Sequence, residues 1–326
     1  SQAGHFGATR LYAKDAQIPA LGYVVPNAAL GRACAARMAV LQAASKLTVL
    51  QPAKLVTITQ NTGGVQAKVH VNDALDVVDG DMLIVAEGAD SPTRTLLGVS
   101  TEDTDYTQVA VVTNIRVARP DAGWAYERFT PQGAMAVLPL DANAAGNTYA
   151  LVWPRAPDEA KRLMALDDTA FLAEAQQLFG AKLGQWQSCG KRAMFPVRRR
   201  VASTLVRDNT VLIGAAALSL HPVAAQGFNL SVRDVAWLAQ CVAETLAQPD
   251  VALNMALTHY QQQRHDDHAH IANMTDRLVR GFALPALGHV RSAGLIGLDI
   301  FKPAREQLTQ QMLGYGGVAP KLMLAH

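Results

Sequence analysis

Residues 210–230 constrain the fold more than any other stretch of this chain. A short apolar run ends at Gly214, a loop with Pro222 follows, and Gly227 opens a long segment with helical apolar spacing. The pattern predicts a strand, a loop and a helix N-terminus. Such a junction presents unpaired backbone N–H groups and the positive end of a helix dipole, which suit an anion or an electron-rich ring. An ordinary strand-to-helix turn is the simpler interpretation.

A second strand-to-helix pattern occupies residues 81–94. Its apolar strand ends at Glu87 and Gly88, and Ser91 is a typical N-cap for a helix that carries Arg94. Ligands of open α/β sheets lie at such carboxyl ends of strands. Taken alone, the stretch favours a capped surface helix with a solvated Glu87.

The remaining segments alternate between helical and β-rich patterns. Apolar residues at helical spacing predict helices over residues 28–41, 158–179, 251–278 and 303–313. In the first of these, the buried face consists of Leu30, Cys34, Met38 and Leu41. Strands are predicted over residues 4–11, 47–50, 55–59, 66–71, 109–117, 124–130, 134–140 and 148–153, and residues 191–200 are extended. The turn at 61–64 predicts a hairpin, the strands between 109 and 153 an antiparallel sheet, and Pro285 and the glycines an interrupted segment over 281–300.

Charge and cysteine content exclude several classes of protein. The 29 basic residues are balanced by 27 acidic ones, which leaves no electrostatic footprint for nucleic acid. The three cysteines lie far apart, which fits a reducing compartment and argues against a zinc ribbon or a disulfide framework. No apolar run reaches the roughly 18 residues that span a bilayer. We expect a soluble protein, at most peripheral to a membrane.

Three further groups of side chains have a simpler interpretation than a functional one. The arginines at 198–200 could hold a phosphate, but a solvated charge run is favoured. The histidines at 265, 268 and 270 do not all share one helix face, so a solvated face is favoured over a metal site, and no metal is predicted. A hydrolase triad of Ser203 or Ser219 with His221 and Asp208 lacks the Gly-x-Ser-x-Gly elbow.

The order of segments along the chain is distinctive, because two α/β fragments flank a β-rich insert. Two sequence motifs in these fragments resemble those of a known family. Residues 81–94 resemble a flavin motif, in which Asp-Gly, Ser and Arg follow an apolar strand. Residues 211–234 resemble another, in which Gly-Asp or Gly-Asn precedes Ala-Ala, His-Pro, Gly-Gln-Gly, Asn-Leu and Arg-Asp. On these residues the chain resembles the flavoprotein monooxygenases of the para-hydroxybenzoate hydroxylase fold, and within them the ubiquinone-biosynthesis hydroxylases. Segments 5–7, 21–25 and 127–140 extend the match over essentially the whole chain.

The resemblance implies a hydroxylase that reduces FAD with NADPH and transfers one oxygen atom to a prenylated phenol of ubiquinone biosynthesis. The phenol would enter between the flavin and the β-rich insert. An activated phenol needs little general-base help, so we assign no catalytic base. The backbone N–H groups at the helix start suit the negative charge of reduced flavin. On the family pattern, the cofactor side is lined by Glu87, Gly88, Arg94, Gly214, Ala215, Pro222, Gln226, Gly227, Phe228 and Asn229.

The implied fold is α/β with an α+β insert. A partial, Rossmann-like FAD-binding domain covers residues 22–106 and 201–280, and an antiparallel-sheet substrate domain covers 1–21 and 107–200. Residues 281–326 form a helical C-terminus. The resemblance also leads us to expect a cytoplasmic protein with a peripheral contact to the inner membrane, and other ubiquinone-synthesis proteins as partners.

Several departures from the family pattern qualify these expectations. No Gly-x-Gly-x-x-Gly follows an N-terminal strand, so we expect a truncated chain that lacks an N-terminal βαβ unit and binds FAD weakly or not at all. Glu87 stands in place of Asp, and Ala225 in place of a Gly that a positive φ would favour. Ala215 replaces an Asp or Asn that bonds the ribityl chain, a loss of about 0.5–1.5 kcal/mol. A degenerate, flavin-poor structural subunit of a ubiquinone-synthesis complex is therefore the alternative.

Overall fold

The computed structural model describes residues 7–61, 63–130, 133–140, 146–248, 251–283, 288–314 and 318–324. The helices are α1 (Asn27–Ala43), α2 (Pro92–Leu96), α3 (Pro157–Ala165), α4 (Asp168–Phe179), α5 (Gln226–Leu246), α6 (Leu253–Ala283), α7 (Gly288–Ile300), α8 (Lys302–Met312) and α9 (Lys321–Leu324). The strands are β1 (Ala53–Asn61), β2 (Gly64–Val71), β3 (Ala74–Gly80), β4 (Leu83–Val85), β5 (Thr101–Val117), β6 (Tyr126–Thr130), β7 (Gly133–Pro139), β8 (Thr148–Arg155), β9 (Trp186–Cys189), β10 (Ala193–Ala202), β11 (Val206–Arg207), β12 (Thr210–Leu212) and β13 (Leu218–Ser219). Short 3₁₀ helices occupy Ala13–Ala16, Gly214–Ala216 and Val223–Ala225.

The largest sheet is antiparallel and has the strand order β13-β10-β5-β8-β7-β6, with β9 also paired to β5. Alternate side chains of β5, among them Val111, Ile115 and Val117, point into the core. Helices α3 and α4 cover this face with buried residues such as Leu163 and Phe171. The predicted antiparallel sheet is confirmed, and its first strand begins earlier than expected, at Thr101.

A small second sheet brings the two sequence motifs together. Strand β4 runs parallel to β12, with Leu83 opposite Thr210 and Val85 opposite Leu212, and β11 pairs antiparallel with β12. Helices α5 and α6 pack on this sheet through Trp237 and Leu257 respectively, which lie in the same buried core as Val85 and Leu212. With antiparallel sheets, parallel pairing and C-terminal helices, the predicted fold class is confirmed.

The hairpin predicted around residues 61–64 is confirmed as β1 and β2, and β3 extends it to a third sheet. The expected buried face of α1 is wrong, because no residue of this helix is buried by the described part of the chain. The spacing of apolar residues predicted the helix, but it did not indicate what would pack against it. The strands expected over 47–50 and in the described part of 4–11 are absent, and neither segment pairs with a described strand.

Other boundaries differ locally from the expected ones. The helix expected over residues 158–179 is two helices, because Asp167 caps α4 by accepting from the Ala170 N–H at 2.8 Å. Helix α7 continues through Gly294 and Gly297, which were expected to interrupt it, whereas Pro285 lies outside the described residues. Among the described helices, none is long and apolar enough to cross a membrane. The proposed domain boundaries stay a prediction.

The arginines at 198–200 pair with acidic residues of β5, and the expected solvated charge run is wrong for Arg199 and Arg200, whereas Arg198 is 56% exposed. Their side chains pair with carboxylates of the neighbouring strand β5, and those of Arg199 and Arg200 are only 11% and 17% exposed. The N···O distances are 3.6 Å for Arg198 and Asp105, 2.6 Å for Arg199 and Glu102, and 2.8 Å for Arg200 and Asp103. Asp105 and Asp103 lie directly opposite Arg198 and Arg200, whereas Glu102 lies diagonally from Arg199, and such pairs of opposite charge stabilise the strand pairing.

We expect Leu163→Ala to lower the free energy of unfolding by about 2–5 kcal/mol, because it leaves a cavity between α3 and the large sheet. Leu163 is fully buried. Urea denaturation measures the change. Leu246→Ala, at a helical position that is 72% exposed, is the matched control and should change stability by less than about 0.5 kcal/mol. Equal losses in the two variants would contradict the assigned core.

Candidate cofactor site

The turns that follow β4 and β12 leave the same edge of the small sheet. The ladder between the strands continues to their ends, where the Ile213 N–H donates to the Val85 carbonyl at 3.0 Å. The turn at 87–91 therefore lies beside the turn at 214–216. This edge is where ligands of open α/β sheets bind, so the two motifs form one site rather than two surface turns.

The side chain of Arg94 forms hydrogen bonds with the backbone of both turns. Its side chain is buried, with Nη1 donating to the Ala216 carbonyl and Nη2 to the Ala89 carbonyl, both at 2.8 Å. Burial lowers the pKa of Arg94, and the nearby Arg200 lowers it further, yet a guanidinium remains charged. The expectation that Arg94 lines the cofactor side stays a prediction, and the structure shows that its guanidinium joins the backbone of the two turns.

The first turn is shaped by its own side chains. Glu87 accepts from the hydroxyl of Ser91 and from the N–H and hydroxyl of Thr93, at 2.7 and 2.8 Å for the two Thr93 atoms. Ser91 in turn accepts from the Arg94 N–H at 3.1 Å, so the predicted helix cap is confirmed. Gly88 has a φ of 97°, a conformation that favours glycine. The Glu87 carboxylate thus shapes the turn and caps α2.

Arg200 adds a contact that sequence reasoning missed. Its Nη1 donates to the Ala89 carbonyl at 2.7 Å and lies 2.9 Å from an Asp90 carboxylate oxygen. Strand β10 of the large sheet thereby contacts the first turn. The signal in the sequence was the acidic residues of β5, which lie opposite the arginines of β10 once the two strands pair.

The second turn presents little side chain to a ligand. Gly214 has a φ of 60° and begins the 3₁₀ helix that ends at Ala216. Ala215, in the middle, is exposed and ends in a methyl group. The turn therefore offers backbone groups and open space, but no side-chain hydrogen bond at position 215.

His221 anchors the loop that follows. The Val223 N–H donates to its Nδ1 at 3.0 Å, so Nε2 carries the proton and donates to the Gln108 amide oxygen, also at 3.0 Å. The ring is 3% exposed and lies edge-on to Tyr106. Burial lowers the pKa of His221 to about 4. The neutral imidazole thus joins the loop to β5 of the large sheet, whereas the neighbouring Pro222 is exposed.

Helix α5 begins in a form that suits an electron-rich ring. Its N-cap is Ala225, which has a φ of 50° and makes no side-chain cap, so the expected positive φ is confirmed. No heavy atom lies within 4 Å of a Cβ placed on Gly227, Phe228 is 62% exposed, and Asn229 is exposed. First-turn N–H groups without a side-chain cap, in open surroundings, fit the negative charge of a reduced flavin ring.

The side chain of Gln226 contacts the end of α8. It is buried, and its Nε2 donates to the Met312 carbonyl at the end of α8, at 3.2 Å. Its assignment to the cofactor stays a prediction, but the amide N–H that donates to Met312 is used within the protein.

The competing sites do not form. His265 and His270 are exposed, and no group of three or more potential metal ligands occurs among the residues with described positions. The expectation of a solvated face is wrong for His268, which is buried with Nε2 2.8 Å from Asp234. The same Asp234 oxygen accepts from Arg264 at 2.7 Å, a buried pair that sequence reasoning also missed. His221 contacts Gln108 and Val223 rather than a serine, so the hydrolase triad is not assembled.

Comparison with known proteins agrees with this geometry. The family model described as "FAD binding domain" matches residues 36–275. Ubiquinone hydroxylase UbiL of Rhodospirillum rubrum is 31% identical over 315 residues, which cover 95% of this chain and 71% of that protein. The 3-demethoxyubiquinol 3-hydroxylase of Escherichia coli is 28% identical, over 93% of this chain and 75% of that protein. A p-nitrophenol 4-monooxygenase from Pseudomonas putida shares the fold, with a TM-score of 0.65 at 16% identity, over 81% of this chain and 67% of that structure.

Fold and site together define a flavin-binding protein of the α/β class. The chain belongs to the FAD-binding domain family, and its named relatives confirm the resemblance to the ubiquinone-biosynthesis hydroxylases. A Synechocystis protein without an assigned function is 35% identical over 245 residues, and the chain spans 58% of its length.

We expect Ala225→Gly to stabilise the protein by about 0.5–1 kcal/mol, because glycine adopts a left-handed conformation without the steric cost of a Cβ. Ala225 holds that conformation at the start of α5. Thermal and urea unfolding measure the change. Ala215→Gly is the control, because Ala215 is exposed without a positive φ, and there glycine should destabilise by a similar amount. A loss of stability in Ala225→Gly would contradict the strained cap.

We expect the stability of the protein to fall as pH drops from about 6.5 toward about 4. Over this range an unfolded histidine binds a proton, whereas the buried His221, with a pKa of about 4, does not. His221→Gln should therefore show a shallower decline between pH 7 and pH 5 in urea unfolding than the unaltered protein. His265→Gln, at an exposed position on α6, controls for the loss of a histidine as such. Parallel pH profiles for His221→Gln and the unaltered protein would contradict a buried neutral imidazole.

Proposed function

We propose that the chain forms the catalytic part of an FAD- and NADPH-dependent hydroxylase that acts on a prenylated phenol in ubiquinone biosynthesis. The observation that carries the proposal is the parallel pairing of β4 and β12. It places both motif turns at one sheet edge, where Arg94 joins their carbonyl groups at 2.8 Å on each side. The names of the relatives support the substrate class.

FAD, when bound and reduced by NADPH, supplies the oxygen-transferring chemistry. The residues of this chain bind and orient it. Gly88 and Gly214 shape the backbone of the two turns, and Arg94 keeps the turns together. The N–H groups of Gly227 and Phe228 lie in the first turn of a 21-residue helix, at its positive end, and would stabilise negative charge on a reduced flavin ring, whereas the Asn229 N–H lies one turn past the Ala225 N-cap and bonds within the helix.

The phenol would enter between the flavin and the large sheet. His221 connects the loop before α5 to Gln108 of β5, so a flavin bound at this loop would lie next to that sheet. The neutral imidazole donates a hydrogen bond to Gln108 and accepts one from the Val223 N–H. Both ring nitrogens therefore have hydrogen-bond partners within the protein. No side chain is assigned as the base, because an activated phenol needs little general-base help. A prenylated substrate also favours a peripheral membrane contact, a cytoplasmic location and other ubiquinone-synthesis proteins as partners.

The deciding experiment follows NADPH oxidation by the purified chain supplied with FAD and a short-chain prenylated phenol. Hydroxylated product, identified by mass spectrometry, should form in step with NADPH consumption, and omission of FAD or of the phenol should abolish it. FAD binding without any product would overturn the hydroxylase proposal, and no binding would overturn the cofactor site as well. The relatives with assigned functions that are described above are hydroxylases, so the flavin-poor structural subunit gains no support from them.

We expect the chain to bind FAD weakly and Ala215→Asn to tighten binding about two- to tenfold, the effect of one added hydrogen bond. The reason is the exposed methyl group at a position where the family pattern has Asp or Asn. Fluorescence titration with FAD measures the dissociation constants. Ala239→Asn, at an exposed position within α5, should leave affinity unchanged. Unchanged affinity in Ala215→Asn would contradict the placement of the ribityl chain beside this turn.

A further inference from the structure

The start of α5 rests on the end of α8. Gln226, the first residue of α5, is 4% exposed, and its amide donates to the carbonyl of Met312, the last residue of α8, at 3.2 Å. The last carbonyls of a helix have no partner within it. Gln226 therefore serves one of these groups on α8 while the residues that follow it face the cofactor surface.

Arg233 makes a second contact with the same segment. It lies seven residues after Gln226, two helical turns along the same face. Its Nη1 lies 3.4 Å from the Gly314 carbonyl, just beyond α8, and the side chain is 6% exposed. A cation near a helix C-terminus is favoured by the helix dipole. An amide and a guanidinium of α5 thus both donate to the C-terminal end of α8.

A buried ion network also holds Arg233, through the same Nη1 atom that contacts Gly314. Its Nη1 is 3.3 Å from a carboxylate oxygen of Asp267 on α6, and Asp267 also pairs with Arg264 at 2.5 Å. Arg264 in turn pairs with Asp234, the neighbour of Arg233 on α5, at 2.7 Å. The charges of the two acidic and two basic side chains balance within the network. These contacts with α6 fix the position of Arg233, from which it also contacts the end of α8.

Gly314 is matched to this arrangement. Its φ is 83°, and a Cβ at this position would lie 3.1 Å from Nη1 and 3.4 Å from Cζ of Arg233. A side chain at 314 would therefore strain the backbone and push the guanidinium away. The close approach of the α8 end to α5 depends on the absence of this side chain.

We propose that Gln226 and Arg233 are positioning residues, which use the C-terminal end of α8 to hold the first turn of α5 where it meets the flavin. The inference rests on the proposed function for the identity of the ligand, but not for the mechanical contact itself. Cofactor affinity then depends on residues 312–314, which act through α5. Gln226, assigned to the cofactor by motif, acts through the placement of the helix that follows it.

The test compares Gly314→Ala and Gln226→Met with the unaltered chain. Gly123→Ala is the matched control, because Gly123 has a φ of 75° and no heavy atom within 4 Å of an added Cβ. Hydrogen–deuterium exchange of the chain without FAD reports on α5. We expect faster exchange at residues 226–230 in both variants, unchanged exchange at 236–246, and no change in α5 for Gly123→Ala.

FAD titration then connects position to function. We expect affinity to fall about two- to tenfold in Gln226→Met, the effect of one lost hydrogen bond, and further in Gly314→Ala, with displaced visible absorption maxima of the bound flavin. Arg233→Lys, which keeps a donor and a charge, should retain more affinity than Arg233→Met.

Unchanged exchange at residues 226–230 in both variants would overturn the proposal, and so would faster exchange spread over all of α5. Faster exchange at 226–230 with the affinity and spectrum of the unaltered protein would overturn the link to the cofactor. Absence of FAD binding to the unaltered chain would instead refute the proposed function, and the exchange measurement would still decide whether α8 holds α5.

Discussion

Two hydrogen bonds from one guanidinium hold the cofactor site together. Arg94 begins in the helix after β4 and reaches the carbonyls of Ala89 and Ala216, so it joins turns that are far apart in sequence. Strand pairing alone brings β4 and β12 side by side, but it does not determine how the chain leaves them. A buried side chain that donates to both turns does, because without it the Ala216 carbonyl would lose this hydrogen bond and the Ala89 carbonyl would keep only the one from Arg200. The geometry at this sheet edge depends on that side chain.

Much of this arrangement can be predicted from the sequence. Hairpin residues, helical spacing and the Ser91 cap predict local structure because their causes lie within a few residues. The positive φ at Ala225 is predictable because a glycine is expected there. The partners of Arg94, Arg200 and Gln226 are not, since each contact joins segments whose proximity arises only in the folded chain. The exposed α1 shows the same limit, because an apolar face indicates burial without saying what covers it.

Different faces of helix α5 contact different parts of the protein. Trp237 and Leu238 pack against the small sheet, and Gln226 and Arg233 contact the end of α8. The exposed Phe228 and Asn229 leave the first turn open. A helix that is held on two sides can present an uncapped N-terminus without fraying, because packing rather than capping stabilises its first turn. This explains how an unfavourable cap at Ala225 is compatible with a well-formed 21-residue helix.

The order of the strands has a consequence for synthesis. Strand β4 pairs with β12, and every strand of the large sheet except β13 is encoded between them. On the ribosome, β4 emerges first and stays without this partner until β12 follows, while the local hairpins of the intervening sheet can already form. Pairing over such a separation in sequence slows folding and leaves strand edges open in the meantime. The nascent chain should therefore depend on chaperones until β12 has emerged.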